Sequence, residues 1–210
     1  MSQKIKIMIL GGARENGKNM YTVQVEDEIF IMDAGLKYPD SSLLGIDVVI
    51  PDLDFFRDYG DKIAGIFLTH GHADSIGALP YILRDYDIPV FGSKLTIELA
   101  KIAVQRENRR RKNDLFHVID ADTEIEFKNA NVSFFKTTHS IPDSLGIDIS
   151  TKEGEIVYTG DFKFDPSAKD GFRTDFVRLS EIAQKGVLAL LSDSTNAEAN
   201  FPNDRQTSIE

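Results

Sequence analysis

The stretch Thr69-His70-Gly71-His72-Ala73-Asp74-Ser75, entered through the apolar run Gly65-Ile66-Phe67-Leu68, decides how the rest of the chain is read. The apolar run is a strand, and the polar residues collect at its end. On extended backbone, side chains two positions apart point the same way, so His70 and His72 present both imidazoles to one point. Neutral imidazole is a preferred zinc ligand. Asp74 comes where the chain turns into a helix, since Ser75-Ile76-Gly77-Ala78-Leu79-Pro80-Tyr81-Ile82-Leu83 begins polar and becomes apolar. From there its carboxylate reaches a neighbouring point, and one strand end can serve two metals. A lone histidine is more often a satisfied structural side chain. Here two of the four histidines of the chain sit beside an aspartate, and that clustering favours the metal reading.

The remaining sequence frames this site. Strands are expected over residues 4–10, 21–25, 29–32, 65–69, 89–92, 124–127, 132–137, 146–150, 155–159 and 187–192, several of them alternating apolar with polar so that one sheet face is buried. Helices are expected over 53–59, 74–86, 94–111 and 175–184. Runs of strands with helices between them imply an α/β (α+β) chain of sheets packed face to face with helices outside. The loop with Gly11, Gly12 and Gly17 imitates a phosphate-binding fingerprint. It fails the context test, because the next element is a strand and not a helix. Asp33 ends a strand as either a turn residue or a carboxylate that orients a ligand histidine. His117, in Leu115-Phe116-His117-Val118-Ile119, has no ligand partner nearby in sequence and reads as structural.

Composition sets outer bounds. The 210 residues suit one domain with a substantial core. Zero cysteines exclude disulfides, thiolate metal sites and a cysteine nucleophile, which fits a reducing compartment. The segment Lys4-Ile5-Lys6-Ile7-Met8-Ile9-Leu10 alternates like a strand rather than a signal segment, and no apolar run approaches membrane-spanning length. A cytoplasmic location without a membrane partner is expected. A net charge of −10 argues against binding nucleic acid by charge alone. It leaves room for a nuclease whose phosphate contacts run through divalent cations. The one basic cluster, Arg106 with Arg109-Arg110-Arg111-Lys112, serves either as a solvated helix end favoured by the helix dipole or as an RNA contact.

The signature His70-x-His72-x-Asp74 resembles that of the metallo-β-lactamase-fold hydrolases, His-x-His-x-Asp-His, with Ser75 in the last position. The family's lone histidine after a strand is matched by His139 in Thr137-Thr138-His139-Ser140, and its later bridging aspartate by Asp161 in Thr159-Gly160-Asp161-Phe162. Further words narrow the likeness to the ribonuclease J family: Glu15-Asn16-Gly17-Lys18-Asn19-Met20, Asp33-Ala34-Gly35, Gly45-Ile46-Asp47-Val48-Val49-Ile50-Pro51-Asp52, Gly77-Ala78-Leu79-Pro80-Tyr81 and His139-Ser140-Ile141-Pro142-Asp143-Ser144. Five such words in order cover almost the whole chain. Ser75, Ala13-Arg14 and Asn16 depart from the usual pattern in the manner of the family's second Gram-positive paralogue, whose site is often decayed.

The resemblance implies an αββα sandwich, here the N-terminal part over residues 1–210, lacking the β-CASP insert, the rest of the catalytic domain and the C-terminal domain. It implies that His70, His72 and His139 bind a first zinc, with manganese as an alternative, and that Asp161 bridges to a second ion also held by Asp74. Such ions lower the pKa of a water towards about 7 and clamp the scissile phosphate. Asp74 and Asp161 are then the catalytic carboxylates, and Asp74 is also a candidate general base. Asp33 is favoured as an orienting carboxylate.

Ser75 removes an imidazole from the second site, leaving one well-formed site and one weakened site. Serine beside Asp74 is a good helix N-cap, so the change would keep the fold while weakening that metal. Three functions follow: a weak metal-dependent ribonuclease acting on RNA as exonuclease or endonuclease, a largely non-catalytic subunit supporting an active ribonuclease J paralogue, and a small-molecule hydrolase of the same fold. Partners are RNA, the paralogue and a second copy of the chain.

Overall fold

Strands with an apolar residue at every second position bury one face each; strands apolar throughout bury both. Both kinds occur in the computed structural model of the chain, which describes residues 2–107, 113–169, 171–195 and 197. One sheet runs in the order β1 (Ile5–Gly11), β2 (Met20–Val25), β3 (Glu28–Met32), β4 (Ile63–Phe67), β5 (Val90–Gly92) and β6 (Phe116–Val118). Its first three strands are antiparallel and β3 to β6 are parallel. The second sheet holds β7 (Glu124–Glu126), β8 (Asn131–Lys136), β9 (Leu145–Thr151) and β10 (Gly154–Tyr158) in antiparallel succession, with β11 (Val187–Leu191) parallel to β10 at its edge.

Period two decides where the cores lie. On β3, Ile29 and Ile31 join the helix-facing core, whereas Phe30 and Met32 join the core between the sheets. The inter-sheet layer is completed by Phe67, Phe134, Ile147, Ile149 and Ile156. On the outer side of the first sheet pack α1 (Asp54–Tyr59), α2 (Ala73–Ile76), α3 (Leu79–Asp85) and α4 (Lys94–Glu107), through residues such as Phe56, Ile82 and Ile97. On the outer side of the second sheet, α5 (Phe176–Lys185) lays Leu179 and Ile182 against Phe135 and Val157. That helix starts where the Asp175 carboxylate accepts from Arg178 N at 2.9 Å. The four layers make the αββα sandwich expected from the strand and helix order. No described helix is long and apolar enough to cross a membrane.

Three local expectations change, and a fourth falls partly outside the described residues. The helix expected over 74–86 is two helices, because Pro80 starts a new one and the carbonyls of α2 are taken by other segments. Ala34 N donates to Ser75 O at 2.7 Å, Leu36 N to Ala73 O at 2.9 Å and Asn19 N to Asp74 O at 3.0 Å. The strand expected over 65–69 ends at Phe67, since Thr69 N leaves the ladder for the Asp33 carboxylate at 2.8 Å. The edge strand β6 escaped the sequence reading, being three residues long with His117 and Val118 exposed. The helix expected to Arg111 is described to Glu107, with Arg106 in its last turn; Arg109, Arg110, Arg111 and Lys112 lie outside the described residues.

Gly35 is the tightest point of this stitching. A Cβ there would lie 1.5 Å from the Asp74 carbonyl oxygen. Gly35→Ala in the full-length protein is therefore expected to push α2 away, costing about 1–3 kcal/mol or more in denaturant unfolding and lowering bound metal. An unchanged unfolding midpoint would contradict the stitching.

Candidate metal centre

Three loops meet at one end of the two sheets. The segment between β4 and α2 carries His70 and His72, the first turn of α2 carries Asp74, the β8–β9 loop carries His139, and the turn after β10 carries Asp161. All five residues picked from sequence therefore converge. His70, His72 and His139 form one group, and His70, Asp74 and Asp161 a second, with the ligand atoms of each group within 4.8 Å of one another. His139 Nε2 lies 3.2 Å from His72 Nδ1 and 3.8 Å from Asp161 Oδ2. His70 Nε2 lies 3.7 Å from Asp74 Oδ1 and 3.9 Å from Asp161 Oδ2. Ligands about 2.0–2.2 Å from a tetrahedral ion stand about 3.4 Å from one another, so these spacings leave room for an ion in either group, with the single Nε2 lone pair of His70 serving one ion at a time.

A missing partner carries the fit. His70 Nε2 and Asp74 Oδ1 are buried and have no hydrogen-bond partner, an arrangement that costs roughly 1–3 kcal/mol per group unless something satisfies it. A divalent cation satisfies both. The tautomer of His70 suits this role. With Asp33 ionised, Thr69 Oγ1 donates its one proton to that carboxylate (2.9 and 3.0 Å) and accepts from His70 Nδ1–H at 2.9 Å, the tautomer that leaves the Nε2 lone pair facing the cluster.

Asp33 is wholly buried in a left-handed conformation, with φ 60°. It accepts from Thr69 N at 2.8 Å and from the Tyr158 hydroxyl at 2.9 Å. It reaches the His70 ring through Thr69, where the sequence reading favoured a carboxylate that orients a ligand histidine. Ser75 departs from expectation. Position 72 caps α2 without a side-chain bond, while Ser75 is buried inside the helix with its Oγ 3.3 Å from His70 Nδ1. It neither caps the helix nor adds a donor to the Asp74–Asp161 group. His117 stacks on Phe91 at 4.9 Å on the β6 edge, away from the cluster.

Burial and like charges set the electrostatics. Burial first, then the His139 and His72 imidazoles, pushes His70 down to about 2; burial and His72 push His139 down to about 4. Asp161 is raised to about 7 by burial and then by Asp74 and Asp193, and Asp74 is raised by burial above all. Asp33 is raised to about 8 by burial, against the pull of its hydrogen bonds. Asp193 was missed from sequence. It follows β11, lines a cavity of about 430 Å³ together with Asp161, and its charge acts on Asp74, Asp161 and His139. Its only sequence signal was a carboxylate at the end of a strand-like run.

Proton linkage gives a test. Without metal, Asp161 keeps its proton up to about pH 7, whereas an ion needs the carboxylate. His70 and His139 are already neutral there and add no slope. Divalent-ion affinity of the full-length protein should therefore rise about ten-fold per pH unit below about 7 and level off above it. Calorimetry in buffers of different ionisation enthalpy should show proton release at the lower pH. Affinity flat across this range would refute the assignment.

A family model described as "Metallo-beta-lactamase superfamily" matches residues 13–202. The chain is 61% identical over 196 residues to Ribonuclease J 2 of Streptococcus pyogenes serotype M3, covering 93% of this chain and 35% of that protein. It is 49% identical over 209 residues to Ribonuclease J 2 of Staphylococcus aureus strain NCTC 8325, covering 100% of this chain and 37% of that protein. The chain thus spans little more than a third of the length of these curated relatives. Among solved structures it resembles the metallo-beta-lactamase fold protein YhfI from Bacillus subtilis, with a TM-score of 0.54 at 18% identity over 90% of this chain and 84% of that one. It also resembles a protein of unknown function from Enterococcus faecalis V583, with a TM-score of 0.58 at 19% identity over 78% and 44% of the two chains. A four-layer fold with five metal-type ligands gathered at one end, and a family match running through nearly all of it, place the chain in the metallo-β-lactamase superfamily.

Proposed function

We propose that this chain supplies the metal-binding part of a ribonuclease of the ribonuclease J type, cutting single-stranded RNA from its 5′ end or internally. The observation that carries the reading is the pair of ligand groups sharing His70, found in a chain 61% identical to a Ribonuclease J 2. Zinc is the proposed ion, with manganese as an alternative. Bound there, a divalent ion supplies charge stabilisation for the phosphate and makes water a nucleophile at neutral pH.

The side chains have separate tasks. Thr69 holds the His70 ring so that Nε2 stays unprotonated. Asp161, within 4 Å of both His70 and His139, is placed to serve both groups. Asp74, its pKa raised by burial, is the proposed general base, because a carboxylate of higher pKa is a better proton acceptor near neutral pH. Ribosomal RNA maturation and mRNA decay in the cytoplasm are the proposed settings, with a second copy of the chain and a ribonuclease J paralogue as partners.

Ser75 supports a second reading. Its hydroxyl sits against the far nitrogen of His70 and leaves the Asp74–Asp161 group without the imidazole of the family pattern. The full-length protein would then hold one ion well and a second weakly, and would serve chiefly as a supporting subunit of an active paralogue.

Cleavage of a 5′-monophosphorylated single-stranded RNA by the full-length protein with zinc or manganese separates the two. For a real, weak ribonuclease, Asp161→Ala should lower the rate at least about 100-fold; equal background in both proteins would favour the subunit. Ser75→His should raise activity and bring a second tightly held ion in elemental analysis. Two tight zinc ions in the natural protein would overturn the weakened-site reading.

A further inference from the structure

Two cavities flank the ligand cluster, and they differ in chemistry. The one that shares Asp161 is lined by polar loop residues such as Asn16 and Asn19. The other, of about 490 Å³, takes His139 as part of its wall and is otherwise largely apolar, with Val118, Ile119, Ile141 and Phe172 among its lining. Small-molecule sites typically have this size and this mix of apolar wall and few polar groups. Val118 is 54% exposed and Phe172 is half-buried, so apolar surface here faces solvent.

Polar features mark the same cavity. Lys94, the first residue of α4, and Lys136, at the end of β8, both line it and both are exposed. Thr137 lines it as well, and its buried hydroxyl has no hydrogen-bond partner. Two carboxylates complete the set. Asp120 is already engaged by Thr123 Oγ1 at 2.7 Å and Asp122 N at 3.1 Å, whereas Asp143 is exposed on the loop that follows His139. Cations beside an apolar wall, next to a centre that would hold a phosphodiester, suit one ligand class. A nucleotide has a flat apolar base, a hydroxylated sugar and a phosphate, and single-stranded RNA is recognised largely by stacking its bases on aromatic rings.

We propose that this cavity binds the nucleoside adjoining the scissile phosphate, with the Phe172 ring against the base and Lys94 and Lys136 pairing with the next phosphate along the strand. Asp143 is then placed to accept from an exocyclic amino group of the base. The proposal rests on the ribonuclease reading. It adds where the RNA lies: the strand leaves the metal centre past His139, towards the N-terminus of α4.

The test uses the full-length protein in an Asp161→Ala background, so that RNA binds without being cut. The probe is a 5′-monophosphorylated single-stranded oligoribonucleotide with 2-aminopurine scanned through its first positions. At one position, binding should quench the fluorescent base. Phe172→Ala should abolish that quenching and weaken RNA binding about ten-fold, while Phe172→Tyr keeps both. Lys136→Ala should reduce the salt slope of binding by about one. If the parent binds RNA but Phe172→Ala binds equally well and no position is quenched, the cavity proposal fails and the ribonuclease reading survives; this is also the outcome if a protein segment fills the cavity. A parent that binds no RNA overturns both. Should Phe172→Ala lose its zinc through misfolding, Lys136→Ala decides, and an unchanged salt slope overturns the proposal.

Discussion

One buried carboxylate ties the molecule together. Asp33 ends β3 in the first sheet and accepts the hydroxyl of Tyr158 from β10 in the second, while its other contacts draw Thr69 out of the β4 ladder. Among the described residues no cation pairs with it, and the hydrogen bonds from Thr69 and Tyr158 offset only part of its desolvation. From this point follow the end of β4, the direction in which the chain turns towards α2, and the protonation pattern of His70. An apolar residue at position 33 would remove the desolvation cost but also the reason for Thr69 to face inward. The left-handed backbone at Asp33 is tolerated because these bonds hold it in place.

Much of this was legible in the sequence, for reasons that can be named. The four layers follow from alternating strands such as 29–32, whose residues divide between two cores. His70, His72 and Asp74 were found because their spacing at a strand end is a local property, whereas His139 and Asp161 were picked out by the resemblance to the metallo-β-lactamase-fold hydrolases. What escaped was decided at long range. Nothing in residues 74–86 shows that the carbonyls of α2 are used by Asn19, Ala34 and Leu36, so one helix was expected where two exist. The span 116–118 is only three residues long, too short for its alternation to stand out, and it pairs as β6 where β5 offers it an edge. Ser75 has the composition of a cap and the position of a core residue, and its contact with His70 depends on the whole loop.

The charge balance of the chain reads differently with the fold in hand. Part of the acidic excess behind the net −10 sits at the ligand cluster rather than on the solvated surface. Asp193 acts on Asp74 and Asp161, and Asp74 on Asp161, at the mouth of the ligand cluster, and Asp33 lies just behind it. Like charges held this close favour neutralisation by protons or by divalent ions. A single imidazole more or less, as at position 75, therefore shifts the balance between proton and metal as well as the number of ligands.

The edge formed by β11 matters for a different reason. Among the described residues it pairs on one side only, parallel to β10, and Val187, Leu188 and Leu190 are 44%, 51% and 63% exposed. A run of unpaired backbone groups flanked by branched apolar side chains is a template for another strand. For this chain handled by itself, that makes colloidal behaviour a property of one edge. Association would begin there by sheet extension, far less sensitive to salt than contacts between charged faces, and a polar residue at position 188, towards the start of β11 and away from Asp193, would be the way to suppress it without touching the chemistry at the other end of the strand.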